Sequence, residues 1–367
     1  MEIFYELEDI TLLPSALNGG HPGNINFLVD DKSDFSGIPK SLPIFTSPME
    51  AIIGERNAKI FQDHGIKPVL PLSEPIEVRL EYCQWIFCAF SLIEVKKYFI
   101  DSSRKHINSQ FHICFDVGNG HDQNLLDLCG RLKQLYGGQV IVMGGNVGCP
   151  EIYSNYARAG FDYMRIGIAS GSLVDTSTYG FHWPMASLLD AIKTFKKSAG
   201  AGLPKQPKII ADGGIQCYSD IVKALALGAD YVMIGRQFAS VIEAAGDIYQ
   251  MNKAGDGIHT NKEKIDPSRV IGMKGIQARN NGFSRQYYGS TSPEMRAFRA
   301  GYPDVESWMK RDKAKVSDTS WSWVEVDHNL DEWVEEFKHC AYYAFMMTGT
   351  NNWDDFKKCV RYGLAGV

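Results

Sequence analysis

Eight short apolar runs, separated by segments with helical periodicity, are the feature that most narrows the choice of fold. The runs are rich in β-branched and aromatic residues and are continuous rather than alternating, which is typical of parallel strands buried on both faces. They occupy residues 42–48, 67–72, 85–90, 111–118, 139–146, 161–168, 207–214 and 229–236. Segments such as EIYSNYARAG and YSDIVKALALGA have the periodicity of amphipathic helices. Eight strand–helix units predict a closed (β/α)8 TIM barrel, an α/β fold.

The chain of 367 residues is interpreted as one domain, with a barrel core at about residues 42–250. The residues before the first strand, including GGHPGNINFLVDDKSDFSGIP, are expected to cap the bottom of the barrel. Residues 251–367 do not fit a further strand–helix unit: NKAGDGIHTNKEKIDPSRV is typical of a polar loop, and SWSWVEVDHNLDEWVEEFKHCAYYAFMM returns to amphipathic helix. We expect this flap and C-terminal helical segment to fold over the catalytic face.

Composition and charge narrow the function classes. The net charge of −5, with no long basic run, argues against a nucleic-acid partner. Even the apolar stretch YCQWIFCAFSLI is too short to span a membrane, and MEIFYELEDI lacks the features of a signal peptide, so we expect a cytoplasmic protein. The eight cysteines contain no CxxC pair and the histidines no HxxxH pair, so reduced thiols and no bound metal are expected.

The loops after strands seven and eight are the usual phosphate site of a barrel. ADGG ends the seventh strand with Asp212, Gly213 and Gly214, and IGR ends the eighth with Gly235 and Arg236. Glycine amides there can donate to phosphate oxygens, Arg236 can add a bidentate clamp, and Asp212 can accept from both hydroxyls of a ribose. The alternative is that Gly213 and Gly214 only form a tight turn.

Two further polar residues end strands four and five: Asp116 in FDVGNGH and Asn146 in GGN. Each fits a loop cap as well as a ligand contact. Cys217, in GGIQCYSD, begins a helix, where a thiolate can be stabilised, although a packed thiol is the alternative.

Taken in order along the chain, these motifs resemble the IMP dehydrogenase/GMP reductase family. YELEDITLLPS resembles the family's opening and FTSPME its first-strand SSPMD motif. DVGNGH, MGGNV, RIGIASGS, ADGGIQCYSDIVKALALGADYVMIG and YYGSTSPEM follow in the family's order. DVGNGH, SPEM and the lack of a regulatory insert between strands two and three make the chain more similar to GMP reductase. Arg165 is closer to the dehydrogenase pattern.

The resemblance implies a purine nucleoside 5′-monophosphate as ligand: GMP, IMP or a deoxy form. Positions matching the family's nucleotide contacts are Ser47, Met49, Gly171, Ser172, Asp212, Gly213, Gly214, Gly235, Tyr288, Gly289 and Ser290. The family also implies NADP or NAD, with Asp116, Asn146 and Gly167 near the nicotinamide, and it admits a monovalent cation. Because the family commonly forms tetramers, the resemblance implies a homo-oligomer, with four subunits as the expected number.

The family's nucleophile is missing from this chain. The family motif is G-S-x-C-x-T, whereas residues 171–176 are GSLVDT, so Val174 stands at the cysteine position. In the family that thiolate adds to C2 of the purine and holds the base covalently while hydride moves. Thr176 matches a threonine that helps to handle the leaving group, and Glu294 matches its acidic partner in the reductases. An extra residue in the SPEM stretch shifts Glu294 relative to the reductase pattern.

Three hypotheses remain open. The first is a divergent oxidoreductase that binds both ligands and works without the covalent intermediate, with Asp175 as a candidate acid or base. For Asp175 the alternative is a solvated loop carboxylate. The second is a non-catalytic purine nucleotide-binding protein, against which the retained Thr176 and Glu294 argue. The third is the ordinary reaction with a substitute nucleophile such as Cys217.

Overall fold

The structure, a computed structural model, describes residues 4–15, 23–30, 40–102, 109–168, 180–199, 202–203, 205–253, 259–289 and 321–365. Six predicted site residues lie outside these ranges: Gly171, Ser172, Asp175, Thr176, Ser290 and Glu294. Val174 also lies outside them.

The predicted eight-stranded barrel is confirmed. Its strands are β1 (Ile44–Thr46), β2 (Val69–Leu70), β3 (Phe87–Phe90), β4 (Phe111–Phe115), β5 (Val140–Val147), β6 (Tyr163–Ile166), β7 (Lys208–Asp212) and β8 (Tyr231–Ile234). From β2 to β8 each strand pairs in parallel with the next, and β8 pairs in parallel with β1. A parallel bridge between Phe45 and Lys67 closes the ring next to β2.

Alternate residues of the strands fill the barrel interior. Phe45, Phe87, Tyr163 and Tyr231 meet there edge to face, with Phe45 5.7 Å from Tyr163 and 5.1 Å from Tyr231. The other strand residues face the helices, so each strand is buried on both faces, which explains its continuous apolar sequence. Val29, in the strand Val29–Asp30 that pairs with Lys40–Ser41, packs against the interior cluster. Since Lys40–Ser41 leads directly into β1, this hairpin lies at the bottom of the barrel, as expected.

In the described part of the chain, eight helices surround the strands. They are α1 (Glu55–Asp63), α2 (Ile76–Tyr82), α3 (Leu92–Val95), α4 (Gln123–Tyr136), α5 (Tyr153–Ala159), α6 (Met185–Ala199), α7 (Tyr218–Leu227) and α8 (Leu330–Thr348). Further helical segments in the described residues are Lys96–Ile100, Gly137–Gln139, Pro150–Ile152, Arg236–Ala239, Pro267–Arg269, Gly275–Asn280 and Trp353–Cys359. No helix in the described part of the chain is long and apolar enough to cross a membrane.

The described residues after 250 add no ninth strand–helix unit to the barrel, but their C-terminal helix completes the eighth unit. Helix α8 packs between α7 and α1 and supplies the eighth helix of the ring. Trp333 lies 5.4 Å from the Tyr218 ring of α7 and 4.6 Å from Phe238, which in turn contacts Phe61 of α1 at 5.2 Å. Strand β8 and its helix are therefore separated by a long insertion, and the C-terminal helix covers the side of the barrel rather than its catalytic face.

That insertion contains a four-stranded antiparallel sheet, here called the flap sheet. In spatial order its strands are His259–Lys264, Ile248–Lys253, Phe283–Tyr288 and Trp321–Glu325. Residues 252–270 are expected from their polar sequence to form a loop, but His259–Lys264 pairs with Ile248–Lys253 as a hairpin. Because HTNKEK is entirely polar, it carries no hydrophobic alternation from which a strand could be recognised. On the outside of the barrel, Arg361–Leu364 pairs with Ile10–Leu13, and Tyr362 donates to Asp190 of α6.

The segment joining the flap sheet to α8 is held by His328, which lies between two carboxylates. His328 Nδ1 lies 2.7 Å from Asp327 Oδ1, and its Nε2 lies 3.3 Å from Glu336 Oε2. The hydrogen bond to Asp327 raises the pKa of His328 above its usual 6.5 against the opposing effect of burial, and Glu336 adds to the increase.

We expect the effect of His328→Gln on stability to depend on pH. A raised pKa in the folded state means that the pair stabilises the fold fully below the unfolded-state pKa, and that this contribution is lost as pH rises through the folded-state pKa. Urea unfolding should show a larger loss of unfolding free energy at about pH 5.5 than at about pH 9. An equal loss at both pH values would contradict a charged His328.

Candidate functional site

Four polar side chains meet at the carboxyl ends of strands β4 to β7. Asp212, the last residue of β7, accepts hydrogen bonds at Oδ2 from Asn146 Nδ2 at 2.8 Å and from Arg165 Nε at 3.0 Å. Arg165 Nη2 also lies 2.8 Å from this oxygen, and Nη1 forms an ion pair with Asp116 Oδ1 at 3.5 Å. The structure thus joins the residue expected at the ribose to two residues expected at the nicotinamide.

Arg165 is the centre of this cluster, and the sequence analysis gave it no functional role. Its side chain is only 7% exposed. Burial acts to lower the pKa of Arg165, but the charge of Asp212, followed by Cys114 and Asp116, raises it above its ordinary value, so the guanidinium is charged. A signal was available, since Arg165 is the charged residue of the otherwise apolar strand YMRI. A charge in a buried strand needs a partner of opposite sign.

The backbone around Asp212 is packed so closely that glycine is required. Gly167 has φ +134°, and a β-carbon there would lie 2.2 Å from the carbonyl oxygen of Asp212. Gly213 and Gly214 have φ values of +106° and +72°, a region that L side chains rarely adopt. Their conformation is that of a tight turn, and it also leaves their backbone free of side-chain bulk, so both interpretations from the sequence remain.

At the end of β8, Tyr287 of the flap sheet lies against the barrel. A β-carbon at Gly235 would be 2.4 Å from the Tyr287 hydroxyl oxygen and 3.5 Å from Ser47 Oγ. Burial raises the pKa of Tyr287, and Asp212 adds to the increase, so the hydroxyl is protonated and can donate. Side chains alternate along Phe283–Tyr288, which places Tyr287 rather than the predicted Tyr288 on the buried face at Gly235.

The remaining predicted residues in the described part of the chain lie near this end. Arg236, predicted to clamp a phosphate, donates from Nη1 to Ser322 Oγ of the flap sheet at 2.9 Å. The Ser47 amide donates to the Ile234 carbonyl at 2.9 Å, which holds the start of the first loop against β8. Met49 packs at the edge of the main core, and Gly289 is buried.

Two other reactive groups lie near the mouth. His121 Nε2 accepts from the Gly148 amide at 3.1 Å, and its Nδ1 lies 3.8 Å from Cys149 Sγ. Burial lowers the pKa of His121 and raises that of the Cys149 thiol. The exposed Cys217 precedes α7, with Sγ 3.1 Å from Ser219 Oγ. Among the described residues, no three His, Cys, Asp or Glu side chains are grouped as metal ligands.

Fold and site together define the class of this protein: a (β/α)8 barrel with a polar cluster at the carboxyl ends of its strands and an inserted sheet that contacts the end of β8. The family model described as IMP dehydrogenase / GMP reductase domain matches residues 103–306, more than half of the 367-residue chain. The chain belongs to the IMP dehydrogenase/GMP reductase family.

Individual relatives are distant. The GMP reductase of Bacillus licheniformis is 29% identical over 257 residues, which cover 67% of this chain and 74% of that protein. The GMP reductase of Helicobacter pylori is 30% identical over 218 residues, covering 56% and 63% respectively. The inosine-5′-monophosphate dehydrogenase of Chlorobaculum tepidum is 31% identical over 187 residues, covering 51% of this chain and 35% of that protein. Both names describe oxidoreductases.

Proposed function

We propose that this protein is an oxidoreductase-type enzyme that binds a purine nucleoside 5′-monophosphate at the barrel mouth, together with a nicotinamide cofactor, and that its chemistry differs from that of its relatives. The observation that carries the proposal is the buried cluster of Asp212, Asn146, Arg165 and Asp116. The names of the relatives, GMP reductase and inosine-5′-monophosphate dehydrogenase, support the ligand class.

The geometry around Asp212 supports its role as the ribose ligand. All three close contacts from Asn146 and Arg165 arrive at Oδ2, so this oxygen fixes the orientation of the carboxylate. With the carboxylate fixed, Oδ1 can accept from a ribose hydroxyl without a loss of side-chain entropy on binding. A preorganised, charged acceptor of this kind favours a ligand with paired hydroxyl groups.

The phosphate is placed at the ends of β7 and β8. Gly213, Gly214 and Gly235 have no side chains to block an anion, and the buried Tyr287 hydroxyl next to Gly235 is a donor that the flap sheet adds. An arginine guanidinium has five N–H donors, so Arg236 can contact the ligand while its Nη1 keeps the bond to Ser322 of the flap sheet. Binding would therefore tie the flap sheet to the barrel.

The polar groups near Asn146 fit a nicotinamide carboxamide. Such a group needs both an acceptor and a donor, and Asp116 offers carboxylate oxygens while Asn146 offers an amide. Gly120 donates from its amide to the Asn146 carbonyl at 2.9 Å, so the loop after β4 holds the Asn146 backbone in place. When bound, a nicotinamide cofactor supplies hydride chemistry. NADP or NAD is compatible with these residues; nothing among them supports a monovalent cation.

The altered chemistry is inferred from the sequence. Val174 cannot form the covalent adduct, so the proposed reaction is a direct hydride transfer or another change at the base. Asp175, Thr176 and Glu294 are the candidate proton-transfer groups of this proposal. A non-catalytic nucleotide-binding protein is the second candidate, and Val174 is the observation that favours it.

Asp212→Asn should raise the dissociation constant of GMP or IMP at least about tenfold, because it replaces a charged acceptor with a neutral one of the same shape. Calorimetric titration of the full chain with GMP, IMP and their deoxy forms measures this. Asp190→Asn is the matched control, because Asp190 accepts from Tyr362 on the outside of the barrel at 2.8 Å. Gly213→Val should weaken GMP and leave guanosine unchanged. Absence of binding of any purine monophosphate at millimolar concentration would refute the proposal.

A further inference from the structure

A second cavity lies at the opposite end of the barrel from the proposed nucleotide site. Its volume is about 470 Å³, and it opens between the C-terminal half of α6, the start of β7 and the end of α7. Ile209 lines it near the start of β7, whereas Asp212 of the mouth ends the same strand. We call this cavity the basal pocket. Its volume lies within the range of ordinary small-molecule sites.

The basal pocket combines an apolar floor with a cationic rim. Leu189, Ile192 and Ile209 are each 1% exposed and form the floor. Lys193, Lys196 and Lys197 of α6 line the rim. A floor of this kind fits a flat or aliphatic group, and three ammonium groups at one edge fit an anion.

The rim carries more positive charge than its acidic neighbours neutralise. Asp230 Oδ2 accepts from the Ile209 amide at 2.8 Å, and this carboxylate is shared between Lys196, at 3.8 Å, and Lys357, at 4.0 Å. Lys193 donates to the Ala226 carbonyl at 3.4 Å and lies over the Tyr362 ring at 5.4 Å.

The pKa values of Lys193 and Lys357 are consistent with this excess of charge. Burial lowers the pKa of Lys193, and Lys197 lowers it further, against the weaker opposing effect of Asp190. Burial also lowers the pKa of Lys357; Asp230 and Asp354 oppose the change, while Lys196 and Lys208 reinforce it. An added anion would relieve the repulsion among these groups.

Favourable interaction with the helix dipole explains the positions of only some of these lysines. Lys196 and Lys197 are in the last turn of α6, where cations are favourable. Lys193, however, reaches a carbonyl of α7, and Lys357 comes from the helix Trp353–Cys359. Ammonium groups from two helices therefore converge around one carboxylate.

We propose that the basal pocket binds an organic phosphate monoester, with the phosphate between Lys193, Lys196 and Lys197 and the organic group on Leu189, Ile192 and Ile209. This site is separate from the nucleotide site proposed at the mouth, and neither proposal depends on the other. An inorganic anion would use the rim alone, whereas an organic monoester uses the rim and the floor.

The test is calorimetric titration of the full chain with phenyl phosphate and with inorganic phosphate. Charge reversal in Lys196→Glu/Lys197→Glu should raise the dissociation constant of phenyl phosphate at least about tenfold. Lys197→Glu alone, at an exposed position, guards against misfolding of the double variant and should show a smaller increase in the same direction. Lys358→Glu is the matched control, because Lys358 is 73% exposed on the helix that carries Lys357, and it should leave binding unchanged.

Four results would overturn the proposal. They are no binding of phenyl phosphate at millimolar concentration, equal affinity in the wild type and the double variant, equal loss in the Lys358→Glu control, and inorganic phosphate binding as tightly as phenyl phosphate. Gly213→Val, which blocks the mouth, should leave phenyl phosphate binding intact; loss of binding in this variant would assign the ligand to the mouth instead. Failure of GMP to bind leaves the test valid, since none of these readouts uses a nucleotide.

Discussion

Arg285→Met is expected to lower the free energy of unfolding by at least about 3 kcal/mol, as measured by urea denaturation. The Arg285 side chain extends from the flap sheet into a turn that follows β8, and the residue is 0% exposed. Its guanidinium donates to five backbone carbonyls, those of Gly246, Ala239, Val241, Ile242 and Ala244. Methionine fills a similar volume but leaves these acceptors without their donor in a buried turn.

A second arginine of the same region provides the control. Arg279 is 54% exposed and pairs with Asp327 at 3.2 Å and Glu325 at 3.6 Å. Exposed ion pairs contribute about 0–1 kcal/mol, so Arg279→Met should cost much less than Arg285→Met. Equal losses in the two variants would show that the buried carbonyls are hydrated or find other donors, and that Arg285 does not hold the turn.

The Arg285 contacts also bear on ligand binding. Arg285 and Tyr287 are on the same face of the strand Phe283–Tyr288, two residues apart. The turn that Arg285 holds follows the short helix beginning at Arg236, directly after Gly235. Loss of Arg285 should therefore displace the Tyr287 hydroxyl from Gly235 and weaken purine monophosphate binding in addition to stability.

The barrel could be predicted from the sequence because each strand is buried on both faces, and a continuous apolar run records that burial directly. Helix α8 could not be assigned to the barrel, because residues 235–329 separate it from β8. Only the packing of Trp333 on Tyr218 and Phe238 reveals that it completes the ring. Periodicity predicts that a segment is a helix, but not which neighbour it packs against.

The locations of the site residues could be predicted from the sequence, but the hydrogen bonds and ion pairs that join them could not. Asp116, Asn146 and Asp212 were expected at the mouth because parallel strands end there. Their link through Arg165 depends on register, and β6 places Arg165 next to Ile210 of β7. The five acceptors of Arg285 are backbone carbonyls, and the position of a carbonyl cannot be predicted from the type of residue that carries it. In SRQYY, this arginine looks like a solvent-exposed strand residue.

Wild-type protein is expected to show neither IMP oxidation nor GMP reduction at a rate typical of its relatives, even when it binds the nucleotide. The family reaction divides one difficult step into two through a covalent bond to C2 of the purine, and Val174 has no atom that can form this bond. Removal of a nucleophile that acts in concert with other groups costs several orders of magnitude in rate. Stopped-flow or steady-state absorbance of the reduced nicotinamide, with each nucleotide in turn, measures the turnover.

Val174→Cys should raise turnover of one of the two nucleotides at least about tenfold if the rest of the site is aligned for the family reaction. Val174→Ser is the control, because it adds a similar side chain that is a much weaker nucleophile, and it should stay at the wild-type rate. Iodoacetamide should then inactivate the cysteine variant, with protection by the bound nucleotide. Robust wild-type turnover with an adduct trapped on another residue, such as Cys217, would show instead that a substitute thiol reaches the base.

Comparison of the wild type with Val174→Cys also distinguishes the two proposed functions, an enzyme and a non-catalytic nucleotide-binding protein. A wild type that binds GMP or IMP and turns over a different purine nucleotide retains catalysis without the thiol, and mutation of Asp175, Thr176 or Glu294 should then abolish that activity. If binding occurs without turnover of any purine nucleotide, in both the wild type and Val174→Cys, the proton-transfer groups are no longer aligned. The intact Asp212 cluster would then serve recognition alone, because Asn146 and Arg165 supply the contacts that orient the Asp212 carboxylate.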